Sequence, residues 1–178
     1  QFSATVEVDF RDTFDAGVLL LRANEKTWAK LCYEISPDGE PMVVSVVNKG
    51  ATSDDANAFV VTAPRVSLRI SRRDNIYAFH ASLESGKWIF IRAFSFDDAL
   101  DNDSEEMTVG FEAQSPNGRG CLVKFEDISF SKTGPKALQI STWLFCKKRV
   151  SILLNKKKDS TLCEECIHHK EVSLNVSV

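Results

Sequence analysis

Positions 28 to 34 read Trp-Ala-Lys-Leu-Cys-Tyr-Glu, a stretch in which chemically able side chains fall on every second residue. On a strand, alternate side chains point to opposite sides. Trp28, Lys30, Cys32 and Glu34 therefore share one face, while Ala29, Leu31, Tyr33 and Ile35 share the other. Arg22 ends the preceding apolar run, and in residues 108–115 Glu112 and Gln114 oppose Val109, Phe111 and Ala113. If these strands are neighbours, Arg22, Trp28, Lys30, Glu34, Glu112 and Gln114 line a polar groove with an aromatic platform. Sugar recognition needs these types: planar hydrogen-bonding groups for hydroxyls and an aromatic face for C–H patches. The competing reading is a solvated sheet face stitched by Lys30–Glu34-type pairs, each worth about 0–1 kcal/mol.

Other chemistries fit the residues less well. A glycosidase needs two carboxylates roughly 5–10 Å apart, and Glu34 with Glu112 is the pair that strands could present. Asp101, Asp103 and Glu105 imitate the start of a calcium loop with Glu112 at its twelfth position, but Glu106 stands where the sharp turn needs glycine. Cys163, Cys166, His168 and His169 cluster soft ligands without the longer loop that separates zinc-finger pairs; Cys146 is the one residue left to complete a set. The basic runs at 147–149 and 156–158 suit an import signal, an acidic-surface contact or a solubilising tail. His80 reads as a surface histidine. No Ser/His/Asp or Cys/His set and no phosphate-cradling glycine loop is visible, since Gly118-Arg119-Gly120 reads as a turn. We expect no catalytic residues, no metal and no cofactor.

The elements that must position these residues follow a period of two. Residues 2–10 alternate, with Phe2, Ala4, Val6, Val8 and Phe10 on one side. Strands are predicted over 15–22, 27–35 and 41–47, the last two joined by the turn Ser36-Pro37-Asp38-Gly39, where proline presets φ and glycine accepts a positive φ. Residues 49–57 read as a polar loop and 59–61 as a short strand. Further strands are predicted over 65–72, 76–83, 87–94, 108–115 and 121–131, with an acidic stretch at 97–106. In 65–72, Val66, Leu68 and Ile70 point inward. About ten strands at near ten-residue spacing, without a long amphipathic helix, predict an all-β antiparallel sandwich or barrel.

Composition agrees. A 178-residue chain with 43% hydrophobic and 26% charged residues is ordinary for a globular domain. At this length roughly 70% of the unfolded surface can be buried. Residues 137–178 carry seven basic and four acidic side chains, leaving 15 against 21 in residues 1–136. That acidic body has no footprint for a phosphate backbone, so no nucleic-acid partner is expected for it. No apolar run is long enough for a membrane span. Cys32, Cys121, Cys146, Cys163 and Cys166 are an odd, sparse set that suits a reducing compartment, and we expect a cytoplasmic protein. Gln1 stands first with no visible leader, and the chain reads as a fragment or processed form.

The motif Asp15-Ala-Gly-Val-Leu-Leu-Leu-Arg22, followed by Trp28-Ala-Lys-Leu-Cys-Tyr-Glu34, resembles the core signature of the domain of unknown function 1349 family. That family is also called "regulation of enolase" and sits in the concanavalin A-like superfamily. Ser45 to Asn48 and Ser53-Asp54 resemble its short strand and Ser-Asp element. Arg69 to Tyr77, Gly86-Lys-Trp88 and Arg92, then Val109-Gly110, Ser115-Pro116 and Phe125-Glu-Asp127, resemble its later strands. The chain departs from the family in having Asp55 where an aromatic is usual. It also lacks a tryptophan-containing stretch before Phe2, so the domain is expected without its first strand. The resemblance implies a jelly-roll domain over residues 1–133, an atypical extension over 134–178, and Asn48 and Asp54 as further ligand candidates. It implies a non-catalytic module binding carbohydrate on a concave sheet, or else a regulatory domain acting on a metabolic enzyme such as enolase. A glycan hydrolase is the third reading.

Overall fold

The structure, a computed structural model, describes residues 1–83, 87–96, 106–135, 138, 150–153 and 171–172. It is all-β, as the period of two predicts, and its antiparallel strands form two stacked sheets, a jelly-roll-type sandwich. Ten strands lie in the first 130 residues: β1 Phe2–Asp9, β2 Ala16–Arg22, β3 Thr27–Ile35, β4 Pro41–Lys49, β5 Thr52–Val60, β6 Arg65–Arg73, β7 Ile76–Ser82, β8 Ile89–Phe94, β9 Thr108–Gln114 and β10 Leu122–Phe130. Two short ones follow, β11 Val150–Leu153 and β12 Glu171–Val172. One sheet runs β11-β10-β1-β6-β7-β8 and the other β12-β9-β2-β3-β4-β5.

Between the sheets lies the apolar core. Val6, Val66, Leu68, Phe79, Val123 and Phe125 enter from one side, and Leu19, Leu21, Ala29, Leu31, Tyr33 and Phe111 from the other. Aromatic pairs knit the layers: Phe111 packs on Phe125 with centroids 4.4 Å apart and on Phe2 at 5.0 Å. Glycine is required at position 17, where an added Cβ would stand 2.5 Å from Val6 and 2.6 Å from Val123 of the facing sheet. The β3–β4 turn forms as predicted, with Gly39 at φ 82° and its amide donating to Ser36 O at 3.0 Å.

Two expectations are corrected. Residues 52–60 are a strand and not a loop: β5 pairs along β4 from Lys49↔Thr52 to Met42↔Val60. It is the outermost paired strand at that side, exposed nearly throughout, and its Asp54, Asp55 and Asn57 are the polar groups that suit a solvated edge. His80 is not on the surface, because it is only 1% exposed. The region expected as an atypical extension contributes β11 against β10 and β12 against β9. Phe2–Asp9 is an inner strand, between β10 and β6. The calcium-like loop Asp101–Glu105, the cysteine–histidine cluster with Cys146, and both basic runs lie outside the described residues. No described helix is long and apolar enough to cross a membrane.

Candidate functional site

The site is built on the sheet face that points away from the core. Register sets its rows: Arg22, Trp28, Asn48 and Ser53 lie side by side, Thr108 flanking Arg22. The next same-face rows are Gly110–Leu20–Lys30–Val46–Asp55, Glu112–Val18–Cys32–Val44–Asn57 and Gln114–Ala16–Glu34–Met42. The strands β9, β2 and β3 are neighbours, so Arg22, Trp28, Lys30, Glu34, Glu112 and Gln114 share one face. Leu31 and Tyr33 are buried on the opposite side.

Hydrogen bonds join four of them into a chain. Lys30 Nζ donates to Glu112 Oε1 at 2.8 Å and to Gln114 Oε1 at 3.5 Å. Gln114 Nε2 donates to Glu34 Oε2 at 3.0 Å and to the carbonyl of Phe14 at 3.3 Å. The Lys30 ammonium also stands 5.2 Å from the Trp28 ring centroid, within cation–π range. Lys30 and Glu112 are 8% and 2% exposed, so this is a buried pair and not a solvated stitch. Ala16, Val18, Cys32 and Val44 form a second buried apolar cluster on the same face, with Met42 against it. The centre of the face is therefore dry. Arg22, Trp28, Glu34 and Gln114 are only partly buried around it.

Burial pushes the Glu34 carboxyl up to about 7; Asp55, in the Lys30 row of the same face, adds to the rise and Lys30 opposes it. Near neutral pH Glu34 is thus divided between a carboxyl that donates and a carboxylate that only accepts. Burial raises the Cys32 thiol well above its usual range, so it sits there as an inert apolar neighbour.

The two remaining candidates bond elsewhere in the fold. Asn48 does share it, but its amide donates to Lys26 O at 2.6 Å and its oxygen accepts from Ser53 Oγ at 2.5 Å, which ties the β4–β5 turn. Asp54 sits on the other side of β5, opposite Val47, and takes Arg92 Nη2 of the facing sheet at 2.9 Å. It closes the sandwich edge.

Sequence pattern missed Phe14. It is 37% exposed, its φ is 66°, and its carbonyl receives Gln114 at the rim beside Glu34. A bulky residue held at positive φ is unusual. Its only linear signal is an aromatic in a polar turn. A cavity of about 900 Å³ opens elsewhere, lined by Glu7, Phe10, Tyr33, Val61, Pro64 and Lys124 among others, and contains none of the candidate residues. Its Glu7–Lys124 pair is closed at 2.6 Å and the Tyr33 hydroxyl donates to Ala63 O, so its polar groups are largely occupied. No group of three or more metal-ligating side chains is gathered among the described residues.

Comparison with known proteins adds fold and family. A family described as "Protein of unknown function (DUF1349)" matches residues 1–133. A crystal structure of a functionally unknown protein from Saccharomyces cerevisiae is 25% identical, with a TM-score of 0.64. The match covers 76% of this chain and 69% of that one. No curated protein matches the chain.

Proposed function

The chain belongs to the family of proteins of unknown function DUF1349, and we propose that it is a non-catalytic module whose outward β9-β2-β3 face binds carbohydrate. The observation that carries this reading is the hydrogen-bonded row Glu112–Lys30–Gln114–Glu34 beside Trp28, with Arg22 at its end. The buried Lys30–Glu112 pair holds Gln114, and Gln114 orients Glu34. Trp28 offers its ring to sugar C–H surfaces while Arg22, Gln114 and Glu34 meet hydroxyls. Phe14 extends the apolar rim.

A hydrolytic role finds less support. Glu112 is neutralised by Lys30 at 2.8 Å and lies under the surface, so the Glu34–Glu112 pair lacks the free second carboxylate that hydrolysis needs. Cys32 and Cys121 are free, buried thiols, which suits a reducing, cytoplasmic setting. A printed array of neutral and acidic oligosaccharides tests the proposal: the chain is expected to retain a subset of them. Retention of none, with capture of a metabolic enzyme from lysate, would favour the regulatory reading instead.

A further inference from the structure

The outward face of the other sheet holds a buried cation of a different kind. Arg69 on β6 points away from the core, yet it is 2% exposed. Its guanidinium lies 4.3 Å from the Trp88 ring centroid, so its plane is covered. Its Nε and Nη2 atoms are buried and have no hydrogen-bond partner among the described residues. Neither does a described carboxylate come within ion-pair distance of it. Those two nitrogens form the side of the guanidinium fork, the edge that engages two oxygens of one anion in parallel. Burying a cation without a counter-charge is expensive unless hydrogen bonds and an opposite charge compensate it.

The neighbours narrow the ligand. His80 is the register partner of Arg69 on β7, on the same face, and is 1% exposed. Its Nε2 meets the carbonyl of Leu138 at 2.5 Å, so that nitrogen carries the hydrogen. Nδ1 is then an acceptor, and it too is buried without a partner among the described residues. Burial, then the Arg69 charge, pushes the imidazole down to about 4, which keeps it neutral. Ser71, two residues along the same face, has a buried hydroxyl with no partner among the described residues. The set thus offers two parallel donors, one acceptor and one hydroxyl.

We propose that Arg69, His80 and Ser71 form a binding site for a small oxyanion that also bears a hydroxyl, either hydrogen phosphate or an α-hydroxycarboxylate. The anionic oxygens take the Arg69 fork, and the hydroxyl donates to His80 Nδ1. This site is on the sheet opposite the sugar-binding face and stands or falls independently of it.

The test titrates the full chain with inorganic phosphate, glycolate and acetate at constant ionic strength, following the Arg69 Nε–H resonance and the thermal midpoint. Phosphate or glycolate should move that resonance saturably and raise the midpoint, with acetate weaker because it lacks the hydroxyl. A response to phosphate alone assigns phosphate; a response to glycolate alone assigns the hydroxy acid. Arg69→Lys keeps the charge and loses the fork, and should weaken binding about tenfold or more. If none of the anions moves the wild-type resonance, the proposal is wrong, whatever the variant's folding. Equal binding by a folded Arg69→Lys chain would equally exclude the fork.

Discussion

Among the described residues, the two outward faces of this sandwich each bury one long cation, and the surroundings of the two could hardly differ more. On the β9-β2-β3 face Lys30 is met by Glu112 at 2.8 Å and by Gln114, and the charge is answered within the fold. On the β6-β7 face Arg69 rests on Trp88 with two nitrogens unpartnered among the described residues. Burial alone does not mark a functional charge. Lys30 is buried because it is part of the scaffold, and what it scaffolds is the exposed rim; Arg69 is buried with its bonding edge unspent.

That contrast predicts opposite outcomes for one substitution type. Lys30→Met leaves Glu112 buried without its cation and should cost about 3–5 kcal/mol of unfolding free energy. The double variant Lys30→Met with Glu112→Leu should recover much of the loss. Arg69→Met removes a buried charge that has no counter-ion among the described residues, at the loss of a contact with Trp88 worth about 0.5–2 kcal/mol. In anion-free buffer it should therefore stay within about 1 kcal/mol of the wild type, or exceed it. Denaturant unfolding of the four proteins decides, and a loss for Arg69→Met as large as for Lys30→Met would erase the distinction between the faces.

A next effect belongs to the layers beneath. Gly17→Ala drives a methyl against Val6 and Val123 and should cost about 1–3 kcal/mol, measured the same way. No loss would mean that the sheets yield at this point.

Smaller, and opposite in sign between the faces, is the response to pH. Glu34 rises from 4.5 to about 7 on folding, so the stability that its carboxyl permits at low pH is lost as pH climbs from 4.5 through 7. His80 falls from 6.5 to about 4, so its contribution is present above 6.5 and lost as pH drops toward 4. The slopes oppose each other across the shared window and flatten the wild-type curve. Glu34→Gln removes one of them, leaving stability that falls steadily on acidification below 6.5. An unchanged curve for Glu34→Gln would contradict the raised Glu34 value.

Much of this was readable in the residue order, for one reason. Strand alternation is local, so the faces of residues 28–34 and the inward set of β6 follow from spacing. Strand β5 escaped because a polar edge such as Asp54-Asp55-Ala56-Asn57 carries no apolar period, and its pairing with β4 is what makes it a strand. His80 and Arg69 escaped for a different reason. Alternation tells which side of a sheet a side chain takes, not whether that side is covered. The partner that buries His80 Nε2 comes from Leu138, 58 residues away in the chain. Asp54 likewise met Arg92 across 38 residues, which no local pattern encodes.

The proposed ligand face is tested most directly by comparing Trp28→Ala with Leu31→Ala, two residues three positions apart on opposite sides of β3. Each variant is taken through denaturant unfolding and applied to the same oligosaccharide array as the wild type. Leu31 is fully buried, and its truncation should cost about 2–5 kcal/mol while sparing glycan retention in the folded fraction. Trp28→Ala should abolish retention with a stability change below about 1 kcal/mol. If Trp28→Ala destabilises as much as Leu31→Ala, or still retains the glycans that the wild type retains, Trp28 is not a sugar platform and the β9-β2-β3 face is not the binding site.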